Sequence, residues 1–206
     1  MIERRQLPSG FIAPCQPSKV ARPPSGPLWV HEIKLDGYRL MVRREGSRVR
    51  AFTRNGHDWA DRFPAIVAAA LRIRPQSFLI DGEAVAARDD GTPDFNALRS
   101  RGSAVVLFAF DLIEHDGDDL CKLPLIERKR RLARLIGRSK HAIRYSEHLT
   151  EDGPTVFDHV CRMGLEGIVS KRTDAPYRSG LSKTWLKTKN PASDAERRER
   201  EEDWSR

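Results

Sequence analysis

The sequence predicts an α+β fold of mainly antiparallel strands flanked by helices, and three observations lead there. Short segments rich in Val, Ile, Leu and Phe, each bounded by Asp, Asn or Gly, recur along the chain as strands do. Between them lie segments whose apolar residues return every three or four positions, the spacing of one buried helical face. With 206 residues the chain suffices for one substantial domain, which buries about 70% of its unfolded surface.

In chain order, residues 1–28 carry Pro8, Pro14, Pro17, Pro23, Pro24 and Pro27 and read as an extended lead-in lying across the domain. Strands follow at Trp29 to Leu35, Tyr38 to Arg44 and, beyond the turn Glu45-Gly46-Ser47, Val49 to Thr53, a succession that suggests antiparallel pairing closed by Arg54-Asn55-Gly56. Phe63, Ile66, Val67, Ala70 and Leu71 share one face of a helix with Pro64 in its first turn. A strand from Ser77 to Ala87 carries Asp81, Gly82 and Glu83 in its middle, and acids inside an apolar strand need a reason; Arg88-Asp89-Asp90-Gly91 turns the chain. Ala104 to Ile113 is the most apolar strand, suited to a sheet centre, and it ends in the turn His115-Asp116-Gly117-Asp118.

Leu125, Leu132, Leu135 and Ile136 define a helix ending at Gly137, with Arg128, Lys129, Arg130, Arg131 and Arg134 assigned to its solvated remainder. Asp152 reads as the N-cap of a helix through Pro154, Val156, Phe157 and Val160 that stops at Gly164. Strands at Gly167 to Lys171 and Thr184 to Lys189 complete the pattern, and residues 191–206 form a tail in which both signs of charge interleave.

Composition narrows the function classes. Hydrophobic residues make up 39% and charged residues 32%, with no apolar run long enough to span a bilayer and no leader with an apolar core, so a cytoplasmic protein is expected. Cys15, Cys121 and Cys161 lack the spacing of a zinc site or redox pair, and His31, His57, His115, His141, His148 and His159 show no ligand spacing either. The net charge of +8 favours a polyanionic partner.

The stretch Glu32-Ile33-Lys34-Leu35-Asp36-Gly37-Tyr38-Arg39 gathers a lysine, carboxylates, a glycine and an arginine at a strand end. Taken alone it is better explained as a surface lysine beside an Asp-Gly turn. Four further stretches change that balance: Thr53-Arg54-Asn55-Gly56, Asp81-Gly82-Glu83, Glu166-Gly167-Ile168-Val169-Ser170-Lys171 and Trp185-Leu186-Lys187-Thr188-Lys189. In this order and at these separations the set resembles the motifs of the covalent nucleotidyltransferases, which include ATP-dependent DNA ligases, RNA ligases and mRNA capping enzymes. Within that superfamily the chain, from about Phe11 to Asn190, looks most like the adenylation domain of bacterial ATP-dependent DNA ligases of the end-joining type.

The resemblance implies two packed, mainly antiparallel sheets flanked by helices, an ATP-grasp-like arrangement with the ATP site between them. It makes Lys34 the nucleophile that takes AMP, with ATP and Mg²⁺ as cofactors. Arg39 and Arg54 then match residues near the nucleotide and DNA, and Glu32 sits where contacts to adenine are usual. Glu83 matches a ribose- or metal-associated acid, Glu166 the principal metal-binding acid, Phe110 the aromatic that stacks on adenine, and Lys187 with Lys189 the pair on the α-phosphate. Such a site has a clear chemical need for these residue types. A lysine attacks phosphorus only as the neutral amine, cations stabilise charge on the phosphate oxygens and the leaving group, and hard carboxylate oxygens suit Mg²⁺.

The expected organisation is a lead-in over 1–28, an adenylation domain over 29–190 and a charged tail over 191–206, too short for the OB-fold domain that follows in family ligases. The expected substrate is nicked or broken DNA, sealed by a monomer in DNA repair, with a separate OB-fold or end-joining protein as partner. An RNA ligase or capping-type nucleotidyltransferase, and a non-catalytic DNA-binding ligase remnant, are the competing readings.

Overall fold

The computed structural model describes residues 10–86, 105–137 and 142–193. The anticipated turn at Arg88-Asp89-Asp90-Gly91, the strand ends at Ala87 and Ala104, His141 and the tail beyond Ser193 lie outside the described residues.

Ten strands are described: β1 (Cys15–Lys19), β2 (Trp29–Ile33), β3 (Tyr38–Glu45), β4 (Arg48–Thr53), β5 (Ser77–Ala86), β6 (Val105–His115), β7 (Asp118–Asp119), β8 (Ile143–Tyr145), β9 (Gly167–Arg172) and β10 (Gly180–Lys189). Three α-helices accompany them: α1 (Pro64–Arg72), α2 (Leu125–Ile136) and α3 (Gly153–Arg162). The strands form a four-stranded sheet in the order β1-β10-β9-β2 and a larger one in the order β4-β3-β5-β6-β7, with β8 also on β6. Pairing is antiparallel except for β1 with β10 and β8 with β6. The fold is thus the α+β arrangement of two mainly antiparallel sheets.

Strand alternation divides the larger sheet into two faces. Leu40, Val42, Phe78, Ile80, Ala84, Leu107, Ala109 and Leu112 pack with Ile66 and Ala70 of α1 and Leu132 and Ile136 of α2 in one apolar core. On the opposite face Met41, Phe52, Leu79, Phe110 and Ile113 meet Cys15, Val30 and Trp185 of the smaller sheet, so the two sheets are packed face to face.

Four features differ from the sequence reading. β2 does not pair with β3: it pairs with β9, and the chain crosses from one sheet to the other between Ile33 and Tyr38. Gly37 makes that crossing possible, since a Cβ there would stand 2.2 Å from the Ala84 carbonyl oxygen on β5. The proline-rich lead-in includes β1, which is extended as expected but is also a hydrogen-bonded edge strand of the smaller sheet. Arg128 and Lys129 of α2 are fully buried rather than solvated, and only the rest of that basic run faces outward. Helix α3 begins after Asp152 with Pro154 in its first turn, but the Asp152 side chain makes no capping hydrogen bond. The three cysteines are unbonded thiols, and no helix among the described residues is long and apolar enough to cross a membrane.

Candidate active site

A cleft of about 650 Å³ opens between the two sheets, within the size range of small-molecule sites. Glu32, Lys34, Arg39, Arg54, Glu83, Phe110 and Lys187 all line it. The structure therefore gathers residues that lie up to 155 positions apart in the chain, counted from Glu32 to Lys187.

Lys34 stands just past the end of β2, where its backbone N–H donates to the Gly167 carbonyl at 2.8 Å. That bond continues the β2–β9 ladder by one residue and sets Lys34 beside the start of β9. Its ammonium donates to Glu166 Oε1, and the pair is shielded, with side chains 21% and 8% exposed. Glu166 is fixed in turn by its neighbours, because the Asn190 N–H donates to its carbonyl at 2.8 Å. Its second carboxylate oxygen, Oε2, is buried and has no hydrogen-bond partner. Burial raises the Glu166 pKa above the usual carboxylate value, with Lys34 opposing and Asp36 adding to the rise.

Across the cleft, Glu83 of β5 is pushed up to about 7 by burial, against Arg39 and Lys34 and with Glu166 and Asp81 adding. Lys187, on β10, is lowered by burial first and then by Lys189, Lys34 and Arg54, the signature of several cations sharing one space. Lys189 does not line the cleft, but it belongs to this field, since it acts on both Lys187 and Glu166. Arg54 stands exposed in the turn after β4 and donates to Gln16 Oε1 of β1 at 2.8 Å.

Phe110 is 8% exposed and is held edge-on against Trp185, with ring centroids 5.9 Å apart. Arg39 lies 4.5 Å and Lys171 4.1 Å from the Phe110 centroid, so the ring already carries cation–π contacts. Glu32 is 3% exposed and accepts from Lys129 at Oε1 and Lys171 at Oε2, both at 2.6 Å. Burial opposes its ionisation, but these two lysines outweigh it and hold the carboxyl below its ordinary value.

Beneath the cleft the acids within the apolar strands find their reason. Asp81 and Asp111 face each other across β5 and β6, and each is matched side-on to an arginine. Arg39 bonds the two Asp81 oxygens at 2.5 and 2.7 Å, and Arg128 bonds those of Asp111 at 2.8 Å each. The Tyr177 hydroxyl also donates to Asp81 at 2.8 Å. Sequence reading had no role for Lys129, Asp111, Arg128 or Tyr177, and singled out Asp81, Lys171 and Trp185 only as members of motifs. Two signals were present: the acids in strands, and the place of Arg128 and Lys129 at i+3 and i+4 from Leu125, which puts them on the buried helical face.

Three comparisons place this geometry among known proteins. The chain is 43% identical over 185 residues to the multifunctional non-homologous end joining protein LigD of Pseudomonas aeruginosa, an alignment that covers 87% of this chain and 22% of that one. It is 37% identical over 175 residues to a probable DNA ligase of Streptomyces coelicolor, covering 77% of this chain and 34% of the other. The chain thus spans about a third or less of these relatives. Its fold superimposes on a mycobacterial DNA ligase D complexed with ATP and MES, with a TM-score of 0.78, 30% identity and coverage of 86% of this chain and 60% of that structure. The family model for the ATP dependent DNA ligase domain matches residues 15–189, nearly the whole of the two sheets, and the chain belongs to that family as an adenylation domain.

Proposed function

We propose that this domain transfers AMP from ATP to Lys34 and from there to the 5′-phosphate of nicked or broken DNA, as the first steps of ATP-dependent strand sealing in DNA repair. The observation that carries the reading is the placement of Lys34: a shielded amine in a nucleotide-sized cleft, hydrogen-bonded to one carboxylate and faced by Lys187 and Glu83. Glu166 accepts the proton that Lys34 must lose before it attacks. A bond then forms between Lys34 Nζ and the α-phosphorus as the bond from that phosphorus to the pyrophosphate oxygen breaks. Lys187 and Lys189 stabilise the charge gathering on the phosphate oxygens. In the second step an oxygen of the DNA 5′-phosphate attacks the same phosphorus, and the lysine leaves and regains its proton. A 3′-hydroxyl finally displaces AMP from the DNA.

The donor set suits a magnesium ion. Among the described residues no three acids, cysteines or histidines cluster as ligands, but Mg²⁺ needs only one or two carboxylates beside waters and substrate phosphates. The buried, unpartnered Glu166 Oε2 is such a donor, and Glu83 is the second acid within its electrostatic reach. When bound, the ion would neutralise charge on the polyphosphate. We assign Arg39 and Arg54 to the nucleotide and DNA, and Phe110, 4.5 Å from the Arg39 guanidinium, to the base. We take the domain to act as a cytoplasmic monomer together with an OB-fold or end-joining module.

Intact-mass measurement after incubation with ATP and Mg²⁺ tests the first step. One added AMP is expected, lost with pyrophosphate and absent in Lys34→Ala. No added mass in the wild type, or an undiminished adduct in Lys34→Ala, overturns the assignment. Following the adduct with nicked DNA against nicked RNA tests the polymer.

A further inference from the structure

Lys129 stands outside the cleft, yet its ammonium is bound to three residues that line it. Nζ donates to Glu32 Oε1 at 2.6 Å, to the Ser146 carbonyl at 3.1 Å and to the Phe110 carbonyl at 3.4 Å. Glu32, Phe110 and Ser146 are all cleft residues, carried by β2, by β6 and by the segment after β8. An ammonium has three protons, so this one is fully committed to joining three walls of the cleft. Helix α2 brings it there because Lys129 shares its buried face with Leu125 and Leu132, and the Tyr145 ring covers the nitrogen at 4.8 Å.

The chemical consequence falls on Glu32. Bound by a lysine at each oxygen, its carboxylate is ionised and can only accept hydrogen bonds. The 6-amino group of adenine donates, whereas the 6-oxo group of guanine accepts. A fixed acceptor wall therefore rewards the first base and sets two acceptors against each other with the second. Lys171 has the same grip on Glu32 but also lies 4.0 Å from the Trp185 centroid and itself lines the cleft, so its loss would disturb base and wall together. Lys129 does not itself line the cleft and reaches it only through the Glu32 carboxylate and the Phe110 and Ser146 backbone carbonyls.

We propose that Lys129 is a positioning residue that sets the preference of this cleft for adenine over guanine nucleotides by holding Glu32 as an acceptor. The inference rests on the reading of the cleft as the ATP site. Calorimetric titration of ATP and of GTP without divalent metal, into wild type, Lys129→Arg and Lys129→Met, reads the preference directly as a ratio of affinities. The ratio is expected to fall by about tenfold or more in Lys129→Met and to stay within about threefold of wild type in Lys129→Arg. A second variant, Lys129→Gln, removes the charge but keeps an amide that can donate to the Phe110 and Ser146 carbonyls, and should lower the ratio in the same direction, so the outcome does not depend on the single variant folding. A merely structural lysine would weaken both nucleotides together; an unchanged ratio in Lys129→Met and in Lys129→Gln overturns the proposal while leaving AMP transfer to Lys34 intact. A wild type that binds neither nucleotide and takes no AMP overturns both readings at once.

Discussion

Along β3 Leu40 and Val42 enter the helix-covered core, while Arg39 and Met41, alternating with them, face the smaller sheet. β5 repeats the division, with Ile80 and Ala84 on one side and Asp81 and Glu83 on the other. The same backbone thus supports a wholly apolar face that needs only to fill space and a mixed face on which charged groups are buried among apolar ones and paired with each other. Area burial holds the first, at roughly 25 cal/mol per Å² of apolar surface. The second adds matched pairs to its apolar packing, whose desolvation offsets most of their attraction, so that its charged residues matter chiefly when a partner is lost. The difference teaches where function sits: in the layer where ionic groups are kept dry and oriented by each other, backed by a layer that bears the folding load.

Removing one partner of the buried layer is the strongest way to break that comparison. Asp111→Ala leaves the fully buried Arg128 guanidinium with two backbone carbonyls, of Leu123 and Ala175, and no carboxylate. A loss of about 3–5 kcal/mol is expected in denaturant unfolding, together with weaker nucleotide binding because Phe110 adjoins the lost aspartate. A loss below about 1 kcal/mol would show that the ionic layer is not a structural unit.

On the apolar face, Leu107→Ala opens a cavity beneath the helices at a residue with no exposed surface. Here about 2–5 kcal/mol of stability should go, while AMP loading of Lys34 at a temperature where the variant stays folded remains at the wild-type rate. Comparable destabilisation with and without loss of binding would establish that the two faces are separable; equal loss of binding in both variants would show that they are not.

Glu83 sharpens the contrast through pH. Its folded pKa lies near 7, above the ordinary value of 4.5, because burial favours the neutral acid. The folded state therefore binds more protons than the unfolded one between those values, and stability falls as pH rises through that window. Glu166 is raised for the same reason and contributes in the same direction. The melting temperature without nucleotide should decline from pH 5 to pH 8, and Glu83→Gln should flatten the decline. An identical slope in the variant would mean that Glu83 is ionised in the folded cleft throughout.

How much of this was legible in the sequence depends on which physical rule had to be read. Period-two alternation and turn residues located seven of the ten described strands, missing β1, β7 and β8, and the ordered motifs supplied Lys34, Glu83 and Lys187, which share one cleft, with Glu166 bonded to Lys34. Pairing was harder, since β2 and β3 look like a hairpin until Gly37 is seen to pass under β5. Hardest was partner choice among charges: nothing local says that Lys129 reaches Glu32 across 97 positions, or Arg128 reaches Asp111.

Helix α2 makes the point within one turn and gives the smallest expected effect. Its basic run reads as one solvated patch, but 3.6-residue periodicity separates it: Arg128 and Lys129 fall with Leu125, Leu132 and Ile136, whereas Arg130 and Arg134 are exposed and Arg131 is half-buried. Among the described residues Arg130 pairs with Glu127 one turn earlier, an exposed i,i+3 contact of the kind that adds a few tenths of a kcal/mol. Replacing Arg131 and Arg134 by alanine should therefore shift unfolding by no more than about 0.5 kcal/mol each and leave AMP loading unchanged. The same substitution at Arg128, three residues away, should behave like Asp111→Ala. If Arg131 and Arg134 proved as costly as Arg128, the division of this helix into a bonded inner face and a solvated outer one would be wrong, and with it the claim that burial rather than charge decides which basic residues matter here.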